Sequence, residues 1–579
     1  MPLRMIVTIG IFLLLPSGDL YAALSAKWVA IDTEMTQLLM RQKPQLAPRE
    51  SQLNRDFWQS NPSPTQRLAV LANIKQSLTL LKARSAHERT VLARMRRDIA
   101  ELEVRWQRPS HLAVIEQSRN SIESIYFLAG GALSLTRVEE YEQWLAVNQL
   151  LPDMIAQLKA QLVSGIKQQE LIPRAIILQH MQRIEQLNTA QYENSRLYRP
   201  ITQMPRHFLA NQKQYLILQY SKTIQQQIGP ALTDYLAFLR DNYLPLTTNE
   251  ESFERMVSAD YFFNKLQNST LAKLNRDELL THVLDQTAQH RQAFTQLATK
   301  LTETDDAVLF YQRLLNNQVA PITQFDSQQR EVIRWQKSLN RELTQVITDF
   351  PQSSLELVFQ ANANQPGIAY RPGSERPLKA AQLMINWVHP VTSNAALLLP
   401  RVAAEGMPGV HLQSSLAREH ELGLDYRHYL PRAAIAFGWR YYAVTLVDEL
   451  QAFDDLQRAG LLAERLNLSA GLITDIALHG KGWSPETTAR LLRQNFPFTE
   501  ADIDQLIARA QIFPAEMAQR FIAAVALAEL RRQAQDELQE KFSLSEFHQI
   551  VLTSGNVDMA TIETRVRQWA ASIDPAEPQ

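Results

Sequence analysis

The most constraining feature of this chain is the helical spacing of its apolar residues between about 27 and 350. Leu71, Ile74, Leu78 and Leu81 recur at intervals of three and four residues, which places one apolar stripe on one face of a helix. The same spacing returns in Leu92, Met95, Ile99 and Leu102. Each run predicts an amphipathic helix that buries a single face.

Prolines divide this region into segments of helical length. Proline lacks an amide donor and its ring clashes with the preceding turn, so each one marks a boundary between helices. The prolines at such boundaries are Pro62, Pro64, Pro109, Pro152, Pro173, Pro200, Pro205, Pro230 and Pro245. The sequence therefore predicts a mainly α fold, built as a large multi-helix array.

The pattern changes between about 350 and 390. Residues 355–359 and 368–370 are short apolar runs on either side of the turn-rich stretch 362–367, which is typical of a hairpin or an extended pair. Residues 382–387 form a candidate third strand. Helical spacing then resumes, so we predict a small β element that lines a cleft beside the next helix.

The length of the chain indicates two subdomains. Its 579 residues exceed the roughly 250–300 at which one hydrophobic core stops growing. We predict a helical N-terminal region at 23–349, a C-terminal region at 350–570 and a disordered tail at 571–579. The formal net charge of -1 provides no field that would gather nucleic acid. The basic cluster at 94–108 is interleaved with acidic residues, which is typical of a solvated helix face.

The N-terminus is typical of a signal peptide. Arg4 supplies a positive charge, 5–15 an apolar run and 21–23 a cleavage site of small residues. A membrane anchor is the less favoured alternative, because the run is shorter than the ~20 residues that span a bilayer. The chain has no cysteine for lipid attachment, disulfide formation or nucleophilic catalysis. We expect cleavage after Ala22, which removes 1–22 and leaves no stable membrane anchor.

Residues 404–413, Ala-Glu-Gly-Met-Pro-Gly-Val-His-Leu-Gln, are the most informative motif of the chain. They resemble the His-Glu-x-x-Pro-Gly-His-His-x-Gln signature of the bacterial domain of unknown function 885 family, predicted zinc-dependent hydrolases of metallopeptidase-like character. Ala404 and Val410 stand where the family has two metal-binding histidines. The matching residues are Glu405, Pro408, Gly409, His411 and Gln413.

A third ligand position also departs from the family. Its Glu-Gly-Trp-x-Leu-Tyr segment corresponds to residues 437–442, with Phe437 in place of the ligand Glu. A catalytic zinc needs three protein ligands and an open position for water, and only His411 is left. Glu405 occupies the general-base position, but a carboxylate needs metal-polarised water near neutral pH. We expect no metal or other cofactor. We also expect a vestigial Glu405 that is held by a salt bridge or by a contact within the cleft, with Arg440 as a candidate partner.

Other parts of the family pattern persist over about 350–570. The candidate cleft or binding residues are His411, Gln413, Tyr370, Arg376, Asn386, Trp439, Tyr442, Asp475, His479, Trp483 and His548. For the three histidines, a structural role with ring nitrogens bonded to buried neighbours is favoured over a cleft role. The tryptophans and Tyr442 are likewise more typical of a core than of a ligand-stacking surface.

The family's reaction class is peptide or amide hydrolysis, and the missing ligands imply a different role here. Our first hypothesis is an exported pseudoenzyme, in the periplasm of a Gram-negative-type bacterium or secreted, that binds a peptide, an envelope component or a protein partner. The alternative is a zinc hydrolase with replacement ligands from His411, His420, His428 or His479, and with Glu405 as base. A third hypothesis is a helical scaffold protein.

Overall fold

A computed structural model describes the chain as two compact units. The N-terminal unit contains the described parts of Leu24–Val257 and Leu424–Pro431, and the C-terminal unit those of Ser258–Gly423 and Arg432–Gln579. The predicted signal peptide lies outside the described residues. These are 26–573 except for 61, 108–109, 190, 248–258, 260–261, 264–265, 267–268, 271–277, 303, 362–366, 376–377, 390, 420–424, 431–433 and 556.

The N-terminal unit is helical, with short 3₁₀ and π turns between its longer helices. The longer helices are α1 (Ala26–Met40), α2 (Pro64–Thr79), α3 (Ala86–Trp106), α4 (Val138–Asn148), α5 (Leu151–Gln168), α6 (Arg174–Leu187), α7 (Ala210–Thr223) and α8 (Gly229–Phe238). The shorter ones are Arg49–Leu53, Arg55–Gln59, Val114–Ser118, Ser124–Phe127 and Arg199–Thr202. Pro64, Pro152 and Pro230 lie in the first turns of their helices, and Pro173 lies directly before α6, so prolines begin helices as predicted.

The predicted apolar stripes of α2 and α3 are buried. Leu71, Ile74 and Leu78 are buried on α2, and all four predicted residues are buried on α3. Leu81 lies beyond the end of α2. Each helix begins after a serine whose hydroxyl accepts a hydrogen bond from the backbone three residues later, which fixes where the helix starts.

A short segment from the later part of the chain completes the N-terminal unit. Asp425–Tyr429 forms a 3₁₀ turn beside α1, where the Tyr426 amide donates to Asp32 at 3.1 Å and its hydroxyl donates to Asp98 at 2.7 Å. Arg94 pairs with Asp98 at 2.9 Å, and both side chains are buried. The solvated face predicted for α3 is therefore wrong for these two residues, because a distant segment of the chain packs there.

The described residues of the C-terminal unit form twelve further helices and the β element. They are α9 (Leu279–Thr302), α10 (Ala307–Leu315), α11 (Phe325–Leu343), α12 (Ala395–Glu405), α13 (Val410–Glu419), α14 (Ala434–Glu449), α15 (Asp455–Asp475), α16 (Pro485–Asn495), α17 (Glu500–Ile512), α18 (Glu516–Leu538), α19 (Leu544–Thr553) and α20 (Met559–Ile573). Helix α14 lies along α18, and α15 packs on α9, α12 and α18. This unit includes the described residues of 258–349, which we predicted from the sequence to belong to the N-terminal region. Helix α20 extends into the segment predicted as a tail.

Two glycines allow the central helices to approach closely. A Cβ on Gly438 of α14 would lie 2.7 Å from the Ala523 Cβ of α18. A Cβ on Gly460 of α15 would clash with the backbone of Ala396 in α12. Glycine is therefore required at both positions, because any side chain would force these helices apart.

The strands of the β element are β1 (Leu355–Gln360), β2 (Ile368–Arg371), β3 (Ser374–Glu375), β4 (Leu378–Lys379) and β5 (Ala381–Asn386). The element contains a three-stranded sheet in the order β1-β5-β2. Strand β5 is parallel to β1 and antiparallel to β2. The predicted hairpin between the first two strands is therefore wrong: the third candidate strand lies between them, because it buries Leu383 and Ile385 in the core.

The fold is mainly α with one small β element, as predicted. The sheet, α12, α14, α18, α19 and α20 contribute to one apolar core in the C-terminal unit. Among the described residues, no helix combines the length and the apolar character needed to cross a bilayer.

Candidate functional site

The signature motif forms the sharp connection between α12 and α13. Helix α12 ends at Glu405 and α13 begins at Val410, with a cis peptide bond between Met407 and Pro408. A Cβ on Gly409 would lie 2.5 Å from the Ala403 carbonyl oxygen, nearer than van der Waals contact. This glycine is a steric requirement of the turn.

Trp439 holds this turn in place. Its indole Nε1 donates to the Pro408 carbonyl oxygen at 2.8 Å, and the side chain is fully buried. The one hydrogen-bond donor of this side chain is therefore used by the backbone of the signature.

Glu405 is paired with Arg440, as the sequence predicted. The two side chains meet at 2.5 Å with 15% and 20% of their side-chain surfaces exposed. The Arg440 guanidinium also lies 5.1 Å from the centre of the Tyr441 ring. The Glu405 carboxylate is thus engaged in a largely buried ion pair.

His411 lies in a buried polar group between α13 and the sheet. Its Nδ1 is 3.2 Å from the Tyr370 hydroxyl and 3.4 Å from the Ser415 hydroxyl. Burial lowers the pKa of His411 to about 4, with help from the charge of Arg418 and against a hydrogen bond to the backbone of Ser353. The imidazole is therefore neutral at pH 7 and bonded to its neighbours.

His548 has both ring nitrogens occupied. Nδ1 is 2.8 Å from the Val346 carbonyl oxygen, which can only accept, so Nδ1 carries the hydrogen. Nε2 then accepts from the Tyr442 hydroxyl at 2.8 Å, and Arg531 donates to that hydroxyl at 3.4 Å. Burial lowers the pKa of His548 to about 4, which keeps this arrangement neutral at pH 7.

Asp475 caps a helix from a neighbouring element. Its carboxylate accepts from the amides of Ala515 and Ala518 at 3.2 and 2.9 Å, at the N-terminus of α18, where free amides and the helix dipole favour a negative charge. His479, one turn later, lies 3.0 Å from the Ala510 carbonyl oxygen. These contacts connect the end of α15 and the turn after it with α17 and α18.

Burial differs among the other predicted residues. Asn386 and Gln413 are buried, whereas Trp483 is partly exposed. Arg376 and His420 lie outside the described residues. Among the residues that the structure describes, no three His, Cys, Asp or Glu side chains converge in a way that could hold a metal ion.

A cavity of about 390 Å³ opens beside Ala404, the first residue of the signature motif. Helices α9, α14, α15 and α18 form its walls, and the end of α12 closes one side. Its polar and charged lining residues are Gln286, Gln289, His290, Tyr441, Tyr442, Thr445, Glu449, Glu464, Arg465, Arg531 and Gln535.

Arg531 and Glu464 of the cavity wall are each paired with a residue of opposite charge. Arg531 of α18 pairs with Glu449 of α14 at 2.9 Å. Glu464 of α15 lies 3.2 Å from Arg401 of α12. These pairs connect the helices around the cavity, and neither Glu449 nor Glu464 lies within ion-pair distance of a further cation in the wall, although the charge of Glu449 still acts on it.

Arg465 is that further cation. Its guanidinium donates to the Thr445 hydroxyl, and no carboxylate among the described residues lies within 4.0 Å of it. Burial lowers the pKa of Arg465, because the charged form is desolvated. The neighbouring His290 has its pKa lowered to about 4 by burial and by the charge of Arg465, and its buried Nδ1 has no partner among the described residues. The cavity thus presents a positive charge and a neutral imidazole to a ligand.

We did not predict Arg465 or His290 from the sequence. A signal was present, because Glu464 and Arg465 interrupt the otherwise apolar and small run from 459 to 473 of one helix. A charged pair inside a buried helix requires partners or a ligand. His290 gives no comparable signal, since its helix α9 is polar on much of its surface.

Solved structures with this fold include proteins from two bacteria. A proposed lipoprotein from Colwellia psychrerythraea is 16% identical, with a TM-score of 0.77 over 96% of this chain and 99% of that chain. A proposed lipoprotein of unknown function from Shewanella oneidensis is 14% identical, with a TM-score of 0.67 over 94% of this chain and 100% of that chain. At these identities the likeness shows a shared fold.

No curated protein sequence matches the chain. The model of the family "Bacterial protein of unknown function (DUF885)" matches residues 50–566, most of the chain. The resemblance first suggested by residues 404–413 thus extends through both units, and the chain belongs to the DUF885 family.

Proposed function

We propose that the protein is an exported, non-catalytic member of its family that binds the carboxylate of a peptide in the cavity beside Ala404. The observation that carries this proposal is Arg465, a desolvated guanidinium without a carboxylate partner among the described residues. A guanidinium binds a carboxylate through two parallel hydrogen bonds, and such bonds are strongest where water is excluded.

The residues at the family's ligand positions support a non-catalytic role. Ala404, Val410 and Phe437 carry no lone pair that a zinc ion could use. The Nδ1 atom of His411 lies within hydrogen-bond distance of two hydroxyl groups, and Glu405 is paired with Arg440. In this proposal the cleft keeps the capacity to bind a peptide but lacks the means to activate water.

The size and chemistry of the cavity suit part of a peptide. Its volume of about 390 Å³ falls within the roughly 300–1,000 Å³ of small-ligand pockets. A peptide carboxylate would meet Arg465, and Thr445 and His290 would supply polar groups beside it. Phe521 and Leu468 give the cavity apolar wall for a side chain.

The proposed location is the cell envelope. Both structural neighbours carry the name lipoprotein in their descriptions, which supports an envelope location for this fold. This chain has no cysteine that could carry a lipid, so we propose that it is free in the periplasm after export.

Binding is tested by exposing the purified protein to a pool of N-acetylated tetrapeptides with free C-terminal carboxylates, and to the same pool in amidated form. Retained peptides are identified by mass spectrometry and titrated by calorimetry. We expect retention of carboxylate peptides alone, and a loss of affinity of roughly tenfold or more in Arg465→Gln, because one charge-assisted pair contributes about 1.5–3 kcal/mol.

Arg458→Gln is the matched control. Arg458 lies on the same helix, pairs with Asp448 at 2.7 Å and does not line the cavity, so its replacement should leave peptide affinity unchanged. Equal retention of amidated peptides, or wild-type affinity in Arg465→Gln, would overturn the binding proposal. Near-stoichiometric zinc by elemental mass spectrometry, after equilibration and removal of loosely bound ion, would overturn the non-catalytic part and favour replacement ligands.

A further inference from the structure

The N-terminal unit contains a second cavity, of about 380 Å³, that has no relation to the signature residues. We infer that it is a binding site for a neutral or weakly acidic oligosaccharide. The inference depends on the way in which polar and apolar rows alternate on its walls, and on two buried polar atoms that the protein leaves without partners.

Helix α5 supplies one wall with two parallel rows. Asp153, Gln157 and Gln161 lie one helical turn apart and form a polar row. Leu150, directly before the helix, has the same spacing from Met154 and Leu158, and the three form an apolar row beside it. A wall of this kind matches a sugar ring, whose hydroxyl groups lie at the edge and whose C–H groups form an apolar face.

Carboxamides dominate the polar lining. Gln59, Gln117 and Asn120 face the cavity from other elements, in addition to the two glutamines of α5. Each carboxamide presents a donor and an acceptor in one plane, and a sugar hydroxyl both donates and accepts. Two neighbouring hydroxyls of one sugar ring can therefore bond to both the oxygen and the nitrogen of a carboxamide. A ligand with an isolated carboxylate or ammonium group cannot do this, because a carboxylate only accepts and an ammonium group only donates.

Two buried polar atoms in the lining have no partner among the described residues. One is the acceptor Gln161 Oε1 and the other is the donor Arg41 Nε. An unpaired buried polar atom costs about 1–3 kcal/mol of stability. One donor and one acceptor in the same cavity, both unpaired, indicate a ligand that can donate and accept.

The charges of the lining are mostly used within the protein. Arg105 pairs with Glu116. Arg67 donates to the Pro62 carbonyl oxygen at 3.0 Å and to the Gln42 side chain at 2.7 Å. The cavity carries three arginines against two carboxylates, too small an excess to attract a polyanion. An uncharged or singly acidic ligand fits this balance.

Aromatic side chains complete the apolar surface. Phe57, Trp58 and Trp106 line the cavity, and the Arg67 guanidinium lies 5.8 Å from the centre of the Trp106 ring. The indole Nε1 of Trp58 donates to the Gln52 carbonyl oxygen at 2.8 Å, which fixes its orientation. Rigid aromatic edges beside planar amides give a ring-shaped ligand both contact area and orientation.

The purified protein is tested on an array of neutral and uronic acid-bearing oligosaccharides, and the strongest ligand is titrated by calorimetry. We expect binding to a defined oligosaccharide class and a loss of affinity of roughly tenfold or more in Gln161→Leu. Gln168→Leu is the matched control. It lies on the same helix, outside the cavity, with its side chain bonded to Ser164, and should bind like the wild type.

A stability measurement separates a binding role from a structural one. Because Gln161 Oε1 has no described partner, replacing the amide with leucine should not lower the urea midpoint even though binding is lost. Arg41→Met provides a second variant with the same expectation. The inference is overturned if no oligosaccharide binds, if both variants bind normally, if a tetrapeptide pool occupies this cavity instead, or if binding and stability fall together in both variants.

Discussion

His548 makes the stability of the C-terminal unit depend on pH in a window set by its pKa. Burial lowers that pKa to about 4, from an ordinary value of 6.5. Between these two values the unfolded chain binds a proton that the folded protein does not. The contribution of His548 to the free energy of unfolding is therefore complete above pH 6.5 and is lost as the pH falls toward 4.

The magnitude follows from the two pKa values. A difference of about 2.5 pH units corresponds to about 3.4 kcal/mol when the loss is complete, and to about 2 kcal/mol between pH 7 and pH 5. His548→Asn isolates this contribution. The asparagine amide can still donate to the Val346 carbonyl oxygen from the Nδ1 position, but it does not titrate.

The assay is urea unfolding of the wild type and the variant at pH 7 and pH 5. We expect His548→Asn to be less stable at pH 7, because the Tyr442 hydroxyl loses its acceptor, yet to lose about 2 kcal/mol less than the wild type on acidification. Other buried histidines, such as His411, are present in both proteins and cancel in the comparison. His282→Asn, at an exposed position of α9, should keep the wild-type dependence. Parallel losses in the wild type and His548→Asn would refute the reasoning.

Three further outcomes are expected from the signature and its supports. Gly409→Ala should cost more than about 3 kcal/mol in urea unfolding because its Cβ meets backbone, whereas Gly482→Ala, in open space at φ +66°, should cost about 1 kcal/mol. Asp475→Ala should cost about 2–3 kcal/mol in the same assay, because two buried amides lose their acceptor. A folded triple variant with the family ligands restored should bind near-stoichiometric zinc by elemental mass spectrometry, and failure would refute our placement of those ligands. Its substitutions are Ala404→His, Val410→His and Phe437→Glu.

Local patterns predicted the helices well, because each pattern reports a local physical requirement. The 3-4-3 stripe of α3 is buried as expected, since an amphipathic helix has one face that must leave water. Strand order was not predictable in the same way. The central position of β5 depends on which strand buries most apolar surface against the helices, and that is decided by tertiary packing.

Part of the candidate site was predictable from the sequence. These are the contacts in which a motif residue has a partner that is close in sequence or lies in another motif of the family. Glu405 and Arg440 are such a pair, because a carboxylate beside an apolar helix requires a cation. Arg94 and Asp98 are the opposite case. Their burial depends on Tyr426, more than three hundred residues later, which no spacing rule connects with them. Arg465 was missed for the same reason, since its surroundings come from four separate helices.

The motif residues that match the family pattern share one property, which is that each makes a contact that stabilises the fold. Gly409 permits the turn, Trp439 bonds its backbone, Asp475 caps α18 and His548 joins α19 to the chain at Val346. None of these interactions uses a metal ion, and each would leave a clash or an unpaired buried group if it were removed. In our proposal the ligand positions are different, because a buried alanine at 404 fills apolar space without any partner. The loss of a zinc site would then cost the folded state little, while the cavity beside it stays available for binding.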